Sequence, residues 1–184
     1  MALAKRDLDG LGGQLAIPRI TSRAAQLSNG NCCLHNGKLY LEDLDLPATE
    51  SSEVSAWASF LARHASLDGD LFTKRFAVVD DETMTFLWET ATQVDARVRL
   101  DLGTRTVADG ALWLEESLPS ETLLIGLMVA DQSRRRTVPM KPDEVLGFVL
   151  GSEQVLQLGG KATTGRGRCR MIPVASQGVS RGQA

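Results

Sequence analysis

Apolar side chains recur at helical spacing in four segments of the chain. In residues 51–64, Val54, Trp57, Ala58 and Leu61 fall at positions i, i+3, i+4 and i+7, which places them on one face of a helix. The same spacing predicts three further helices, over residues 3–11, 81–91 and 142–150. We expect Trp57 and Trp88 to pack in the core.

Other apolar segments have the patterns of strands. Residues 94–100 alternate between apolar and charged side chains, which is typical of a strand with one buried face. Asn36 and Gly37 form a strong turn signal and predict a hairpin over residues 31–46. Residues 123–130 are apolar on both faces, so we expect a central strand there. Shorter runs predict strands at 76–79, 111–116, 155–158 and 169–174.

The order of these elements predicts an α+β fold. A strand, a helix and a strand follow one another in residues 75–100 and again in 123–158. Helices on one face of a sheet, as in ferredoxin-like and RRM-like folds, are the expected arrangement. We expect residues 1–174 to form a single domain and the small, polar segment 175–184 to be a disordered tail.

Composition narrows the class of protein. The 184 residues are 43% hydrophobic and 23% charged, which is ordinary for a folded domain in water. The longest apolar run is too short to span a bilayer and the start has no signal-peptide pattern, so a cytoplasmic protein with no membrane partner is expected. Three cysteines and two histidines, without ligand spacing, predict no metal site.

Basic residues concentrate toward the C-terminus. From Asp131 onward nine Lys/Arg stand against four Asp/Glu, a net charge of +5, whereas the rest has eleven against nineteen, a net of −8. This asymmetry indicates either a localised anion site or a solvated, loosely ordered end. The three arginines at 134–136 fit a solvated loop better than a contact.

The segment 159–170 carries the strongest chemical signal. Its glycines let the backbone approach a ligand, and its basic and hydroxyl side chains suit phosphate oxygens. The predicted RNA-binding residues are Gly159, Gly160, Lys161, Thr163, Thr164, Gly165, Arg166, Gly167, Arg168 and Arg170. The alternative is a glycine-rich hairpin with arginines on its solvent face.

Nucleotide-binding motifs match this segment poorly. Gly160 and Gly165 have P-loop spacing, but Arg166 and Gly167 stand where lysine and a hydroxyl residue are needed. A dinucleotide motif starting at Gly165 fails because Arg170 replaces its third glycine. A polynucleotide backbone, which needs distributed donors, is the better candidate.

Three segments in order resemble one protein family. LQLGGKATTGRG at 156–167 resembles the C-terminal glycine loop of RAMP proteins, the repeat-associated subunits of CRISPR effectors. LEDLDL at 41–46 and DGALWLEESLPSETLL at 109–124 resemble the same family. The likeness covers about residues 38–174 and is nearest to the multi-copy backbone subunit of the type III-B (Cmr) complex.

The resemblance implies a role in antiviral RNA recognition. Such subunits have RRM-like folds and stack along a guide crRNA with copies of themselves and other Cmr subunits. Target single-stranded RNA is cut beside a β-hairpin thumb with a divalent metal (Mg or Mn) present, and the glycine loop touches the guide backbone. Glu115 matches an acidic position linked to cleavage, whereas Ser117 stands where the family often has tyrosine.

The family's opening strand, first helix and main catalytic aspartate have no match in this chain. The predicted helix at 3–11 also starts without a cap, so we expect an N-terminally truncated subunit that binds no metal and does not cut RNA alone. The alternatives are a remnant that no longer assembles and an unrelated enzyme with a phosphate ligand. The enzyme is disfavoured because no Ser-His-Asp or Cys-His set is evident.

Overall fold

A mixed five-stranded sheet organises the first half of the protein. The computed structural model describes residues 15–41, 43–135 and 137–174. The sheet has the order β2-β3-β4-β1-β5, with β1 parallel to β4 and antiparallel to β5. Its strands are β1 Ala25–Leu27, β2 Leu34–His35, β3 Lys38–Leu41, β4 Leu44–Glu50 and β5 Ala77–Val79.

The predicted Asn-Gly hairpin is confirmed, with a correction to its second strand. Asn36 and Gly37 both have positive φ, 48° and 73°, the geometry of a two-residue turn whose twist matches the flanking strands. The expected strand from 38 to 46 is wrong, because the chain reverses after Leu41. Leu41 instead pairs with Leu44 across a second tight connection, and β4 runs antiparallel to β3.

Helix α1, Ser52–His64, covers this sheet as its apolar spacing predicts. The Ser51 side chain accepts a hydrogen bond from the Val54 amide and so caps the helix. Trp57 is 1% exposed, and its indole Nε1 donates to the Ala16 carbonyl at 2.8 Å. The core is therefore made by the inner face of α1 and the buried residues of the sheet, Ala25, Leu27, Leu39, Leu46 and Ala48.

Two shorter helices follow, and the second corrects a core prediction. Helix α2 is Gly69–Thr73 and helix α3 is Asp81–Thr90, each capped by the preceding aspartate. The expectation that Trp88 is a core residue is wrong, since its side chain is 52% exposed. Of the α3 residues only Thr83 is buried, so no described element covers the apolar face of the helix.

A long antiparallel hairpin stands apart from the sheet. Strands β6, Gln93–Leu100, and β7, Val107–Ser117, pair with each other and with no other described strand. The predicted alternation of β6 is present, but the expectation of a buried face is wrong: Val94 and Val98 are 56% and 49% exposed. The predicted β-α-β unit over 75–100 also fails, because β5 and β6 belong to different sheets.

The apolar segment 123–130 has no regular secondary structure. The expected central strand is therefore wrong, and with it the second β-α-β unit. An apolar run forms a strand only when another strand accepts its backbone hydrogen bonds, and no described residues do so here. Leu124 and Val129 are 67% and 80% exposed as a result.

The C-terminal part contains one helix and one small hairpin. Helix α4, Pro142–Leu150, begins with proline in its first turn as expected, but it contains no buried residue, contrary to the inward face that its apolar pattern predicts. Strands β8, Gln154–Gln157, and β9, Arg168–Met171, pair antiparallel around the glycine-rich segment. The predicted helix at 3–11 and tail at 175–184 lie outside the described residues.

Candidate nucleic-acid interface

The glycine-rich segment forms a closed loop between β8 and β9. The Leu158 amide donates to the Gly167 carbonyl at 2.8 Å and closes its base. Inside it, Ala162–Thr164 makes one 3-10 turn, flanked by Lys161 and Gly165 in the left-handed region, with φ of 63° and 77°. Gly159, Gly165 and Gly167 all have positive φ, which explains the choice of glycine at these three positions.

Most of the hydrogen bonds inside the loop converge on the Lys161 carbonyl, and one more joins the Gly165 amide to the Ala162 carbonyl at 3.0 Å. The Lys161 carbonyl accepts hydrogen bonds from the amides of Thr164 and Arg166, at 3.1 and 3.2 Å, and from the Thr164 hydroxyl at 2.9 Å. The Thr164 hydroxyl was predicted to serve a ligand and instead donates within the loop. Gln157 adds a bond from its side-chain amide to the Arg166 carbonyl at 2.9 Å.

Gly167 has the strictest requirement for glycine in the loop. Its φ is +72°, and a Cβ at this position would overlap the Leu158 carbonyl oxygen and the Gln157 side chain. Gly160, in contrast, has an ordinary φ and open space around it. The loop can adopt its conformation only with glycine at position 167. At position 160, glycine instead leaves the backbone accessible to solvent because it has no side chain.

Five consecutive backbone amides in the loop point to anion binding. Within the described part of the chain, the N–H groups of residues 159–163 donate to no acceptor. Runs of free amides in a turn with left-handed residues form concave sites for anionic oxygens. An open cavity of about 380 Å³ lies beside the loop, and Ala162 is the member of this run that borders it; the cavity is lined by Val155, Leu156, Gln157, Ala162, Gly165, Arg166 and Arg168.

Two of the loop's basic side chains are bound to the β6–β7 hairpin. Lys161 Nζ donates to Glu115 Oε1 at 2.8 Å, and the Arg166 guanidinium is paired with the Asp95 carboxylate. Arg166 also donates to the Ser117 hydroxyl at 3.3 Å. The loop is therefore attached to the charged face of the hairpin by ionic contacts between residues far apart in sequence.

The other two arginines differ from each other. Arg168 is exposed, lines the cavity and has no ion pair with any described residue. Arg170 donates to the Ala65 carbonyl at 3.1 Å and lies 3.7 Å from Glu153, so it attaches the loop to the end of α1. The predicted site residues thus form two groups. The backbone amides of residues 159–163 and the Arg168 side chain are accessible to a ligand, whereas the side chains of Lys161, Arg166 and Arg170 hold the loop in position.

The charged face of the hairpin brings two carboxylates side by side. Asp95 and Glu115 are directly opposite each other in the register of β6 and β7. Arg97 lies near both, with its Nε 3.4 Å from Glu115 Oε2 and an Nη2 atom 3.9 Å from Asp95 Oδ2. The repulsion expected of opposed like charges is offset by Arg97, Lys161 and Arg166.

Glu115 is held in its ionised form. The hydrogen bond from Lys161, followed by that from the Trp113 indole at 3.0 Å, lowers the pKa of Glu115 from 4.5 to about 2. A carboxylate with so low a pKa carries negative charge at every physiological pH. Its role in cleavage, suggested by the resemblance, stays a prediction.

The donor set does not fit the divalent metal that the resemblance implies. Carboxylate oxygens suit Mg²⁺ or Mn²⁺, but those of Asp95 and Glu115 are taken up by cationic side chains. Among the described residues no three acidic, histidine or cysteine side chains come together at metal-binding distance. We therefore derive no metal-dependent step from this face.

Reasoning from the sequence missed Asp95 and Arg97 as members of this cluster. The available signal was the charge alternation of residues 95–99, which was interpreted only as a solvated strand face. Pairing Asp95 with Glu115 requires the strand register, and pairing it with Arg166 spans 71 positions.

Comparisons with known proteins identify the family of this chain. The family model described as RAMP superfamily matches residues 26–170, most of the chain. The protein therefore belongs to the RAMP superfamily, with the mixed α+β fold of that family.

A particular member of the family is similar over almost the whole chain. It is the CRISPR system Cmr endoribonuclease Cmr4 of Pyrococcus furiosus, 30% identical over 169 residues, which are 89% of this chain and 56% of the relative. The crystal structure of oligomeric Cmr4 from Pyrococcus furiosus has the same fold, with a TM-score of 0.52 and 17% identity over 89% of this chain and 58% of that one. The chain spans little more than half the length of these relatives.

The comparisons leave the individual site residues as predictions. They support a Cmr-type RAMP subunit, with no assignment of RNA contacts or of a catalytic role for Glu115. No helix within 15–41, 43–135 and 137–174 has the length and apolar character needed to cross a membrane.

Proposed function

We propose that the protein binds the phosphate backbone of guide crRNA through its glycine loop, as a backbone subunit of a type III-B CRISPR effector. That complex would recognise and cleave complementary target RNA in antiviral defence. Membership of the RAMP superfamily and the similarity to Cmr4 support the general role. The binding site itself is proposed from the geometry of the loop.

The observation that carries the proposal is the run of free amides at residues 159–163 beside an exposed arginine. Amide N–H groups and guanidinium groups are the usual donors to phosphate oxygens, and contacts to phosphate carry no sequence information. A guide of any sequence could therefore be held here. This property suits a subunit whose specificity is supplied by base pairing of the bound RNA.

The shape of the loop favours a polynucleotide over a mononucleotide. The cavity beside it opens to solvent, and Arg168 stands at its rim. A mononucleotide site of the P-loop type needs an enclosing loop with a lysine on the phosphates and a hydroxyl on magnesium. Here the equivalent positions hold Arg166, which is paired with Asp95, and Gly167, which has no side chain.

Assembly with other copies and with other Cmr subunits belongs to the same proposal. The β6–β7 hairpin and the segment 123–130 carry apolar side chains that no described element covers. Exposed apolar surface is characteristic of protein interfaces when it forms a large patch. The relative of known structure is an oligomer, which supports self-association as the way this surface is buried.

Target cleavage is proposed for the assembled complex, with its divalent metal, and not for this chain alone. Glu115 would act there as a fixed negative charge near the target, since its ionised state prevents it from donating a proton. Incubating the purified chain with Mg²⁺ and labelled RNA should give no products above a buffer control.

The test of RNA binding is a salt series with labelled single-stranded RNA. Affinity should fall as salt rises, because phosphate contacts release counterions, with a slope of about −0.7 per phosphate neutralised. Arg168→Glu should weaken binding about tenfold and reduce the slope by about 0.7 to 1, since it removes one phosphate contact. Arg168 is suited to this test because it has no described structural partner.

Arg135→Glu is the matched control, since Arg135 is an exposed arginine of the basic run 134–136 in the sequence. It makes the same charge change and should alter affinity less than twofold. Equal losses for the two variants would indicate attraction by overall charge and contradict a site at the glycine loop. Absence of binding to the folded wild type at low salt would contradict the proposal for the isolated chain.

A further inference from the structure

The two cations nearest the free amides of the loop are already bound to anions of the same chain. Lys161 contacts Glu115, and Arg166 contacts Asp95. Both carboxylates project from one face of the β6–β7 hairpin, at directly opposite positions in its register. The contact is the main ionic attachment between hairpin and loop among the described residues.

Carboxylates and phosphates compete for the same donors. A lysine ammonium or an arginine guanidinium forms charge-assisted hydrogen bonds to either group, and a guanidinium fork matches both. Side chains directly opposite on paired strands are about 5 Å apart at Cβ. Asp95 and Glu115 thus present two adjacent negative charges, as neighbouring phosphates of one strand do.

The contact between the hairpin and the loop is accessible to solvent. The Lys161 side chain is 58% exposed and Glu115 is 20% exposed, so neither partner is sealed from an incoming anion. The low pKa of Glu115 keeps its side of the contact charged at neutral pH. Arg97 would remain beside both carboxylates after Lys161 and Arg166 leave, which prevents two unneutralised charges from facing each other.

We propose that Asp95 and Glu115 are internal competitors for the RNA-binding cations, so that RNA binding at the glycine loop exchanges these carboxylates for phosphates and releases the hairpin from the loop. This inference rests on the proposed function of the loop. It makes the two residues determinants of affinity and couples the hairpin to RNA occupancy. A single weak anion would displace one carboxylate at most, whereas a strand with successive phosphates could displace both.

The test compares RNA affinity of wild type with that of the double variant Asp95→Asn/Glu115→Gln. Removing the competitors should tighten binding about fivefold, since exposed ion pairs of this kind contribute modestly. The matched control is Asp109→Asn/Glu116→Gln, which makes the same charge change on the same hairpin. Glu116 lies on the opposite face of β7, and neither residue contacts the loop. The control should change affinity less than twofold.

Unchanged or weaker binding by the Asp95/Glu115 variant would overturn the inference and make the carboxylates a scaffold that positions the loop. Equal tightening by the control would attribute the effect to net charge and would also overturn it. Failure of wild type and both variants to bind RNA at low salt would instead refute the proposed function, and the inference with it.

A second measurement uses the unaltered protein and does not depend on the folding of a variant. The Trp113 indole donates to Glu115, so its N–H resonance reports on that carboxylate. Saturating RNA should move this resonance, while that of the buried Trp57 indole stays in place. RNA binding without movement of the Trp113 signal would mean that the contact stays closed and would overturn the inference.

Discussion

Single residues decide the form of the glycine loop. Gly167 combines a left-handed backbone with a contact that excludes any side chain, while Lys161 adopts a left-handed conformation that costs energy for a residue with a Cβ. The strain at Lys161 is retained where its ammonium group meets Glu115 and its carbonyl collects three hydrogen bonds. Lys161 therefore determines both the backbone conformation of the loop and one of its ionic contacts with the hairpin.

Gly167→Ala should open the base of the loop. The added Cβ meets the Leu158 carbonyl, and the left-handed φ adds strain, together about 2 kcal/mol or more. Hydrogen exchange of the Leu158 amide, which bonds Gly167, should then accelerate about thirtyfold. Gly160→Ala is the control, with open space and ordinary φ, and should change the rate less than twofold. Similar rates in the two variants would contradict the steric explanation.

The titration of Glu115 should report the hairpin–loop contact. Its pKa is lower in the folded protein than its ordinary 4.5, so the contact's contribution to stability is complete above about 4.5 and is lost as pH falls toward about 2. Carbon NMR of the Glu115 carboxyl should give a midpoint near 2. Lys161→Met should raise it toward 4.5, because Lys161 is the largest cause of the lowering.

Lys74→Met is the control for this titration. It removes a lysine that pairs with Asp70 on α2 and does not contact the hairpin. The Glu115 midpoint should be unchanged in this variant. A Glu115 midpoint near 4.5 in the wild type would mean that the contact with Lys161 does not form in solution.

Residue types predicted the glycine loop well and its charge partners poorly. The density of glycine and arginine in 159–170 was sufficient to predict a basic loop there, because local backbone freedom and positive charge are properties of a short segment. The engagement of Arg166 and Lys161 was invisible, because it depends on how a distant hairpin is positioned. The sequence does not distinguish a lysine or arginine that is exposed from one that forms an ion pair.

At the scale of elements, local signals were reliable where the chain closes its own hydrogen bonds. The helix at Ser52–His64 and the turn at Asn36 and Gly37 formed as predicted, because caps and turn residues act within a few positions. The strand at 123–130 did not form, because a strand needs a partner that periodicity cannot supply. The same limit explains why β6 pairs with β7 and not with β5.

Ser51→Ala should destabilise α1. The Ser51 hydroxyl satisfies the Val54 amide at the helix start, and loss of such a cap costs about 1 kcal/mol in the free energy of unfolding. Ser52→Ala, one position inside the helix, makes the same chemical change without removing the cap and should be within about 0.5 kcal/mol of wild type. Urea denaturation followed by tryptophan fluorescence would measure both, because unfolding exposes Trp57, which is buried, while Trp88 and Trp113 are already exposed.

At the scale of the whole molecule, the core is concentrated in one half of the chain. Among residues 15–41, 43–135 and 137–174, the buried apolar residues lie almost entirely in the five-stranded sheet and α1, while the hairpin, α3 and α4 keep their apolar faces exposed. The sequence predicts a buried face for nearly every helix and strand, but several of these faces have no described element packed against them. The apolar patterns therefore predicted correctly which elements are amphipathic and could not predict what packs against each apolar face.

The apolar face of the β6–β7 hairpin should drive self-association. Leu112 and Leu114 are 67% and 70% exposed on that face, opposite the charged cluster. In sedimentation velocity, Leu112→Ser/Leu114→Ser should raise the concentration at which half of the protein is associated by about tenfold. Leu71→Ser/Leu102→Ser removes two other exposed leucines outside this face and should leave association unchanged. Unaltered association of the first variant would exclude this face as the interface.

The pairing of Lys161 with Glu115 and of Arg166 with Asp95 makes the glycine loop a poor candidate for transplantation. Grafted onto another hairpin, the loop would carry cations without their counterparts and would bind polyanions indiscriminately. Evolution of this sequence is subject to the same constraint, because a substitution at position 95 or 115 leaves the cation at position 166 or 161 without its ion-pair partner. These four positions should drift in pairs, and a charge swap at both members of a pair should be better tolerated than either change alone.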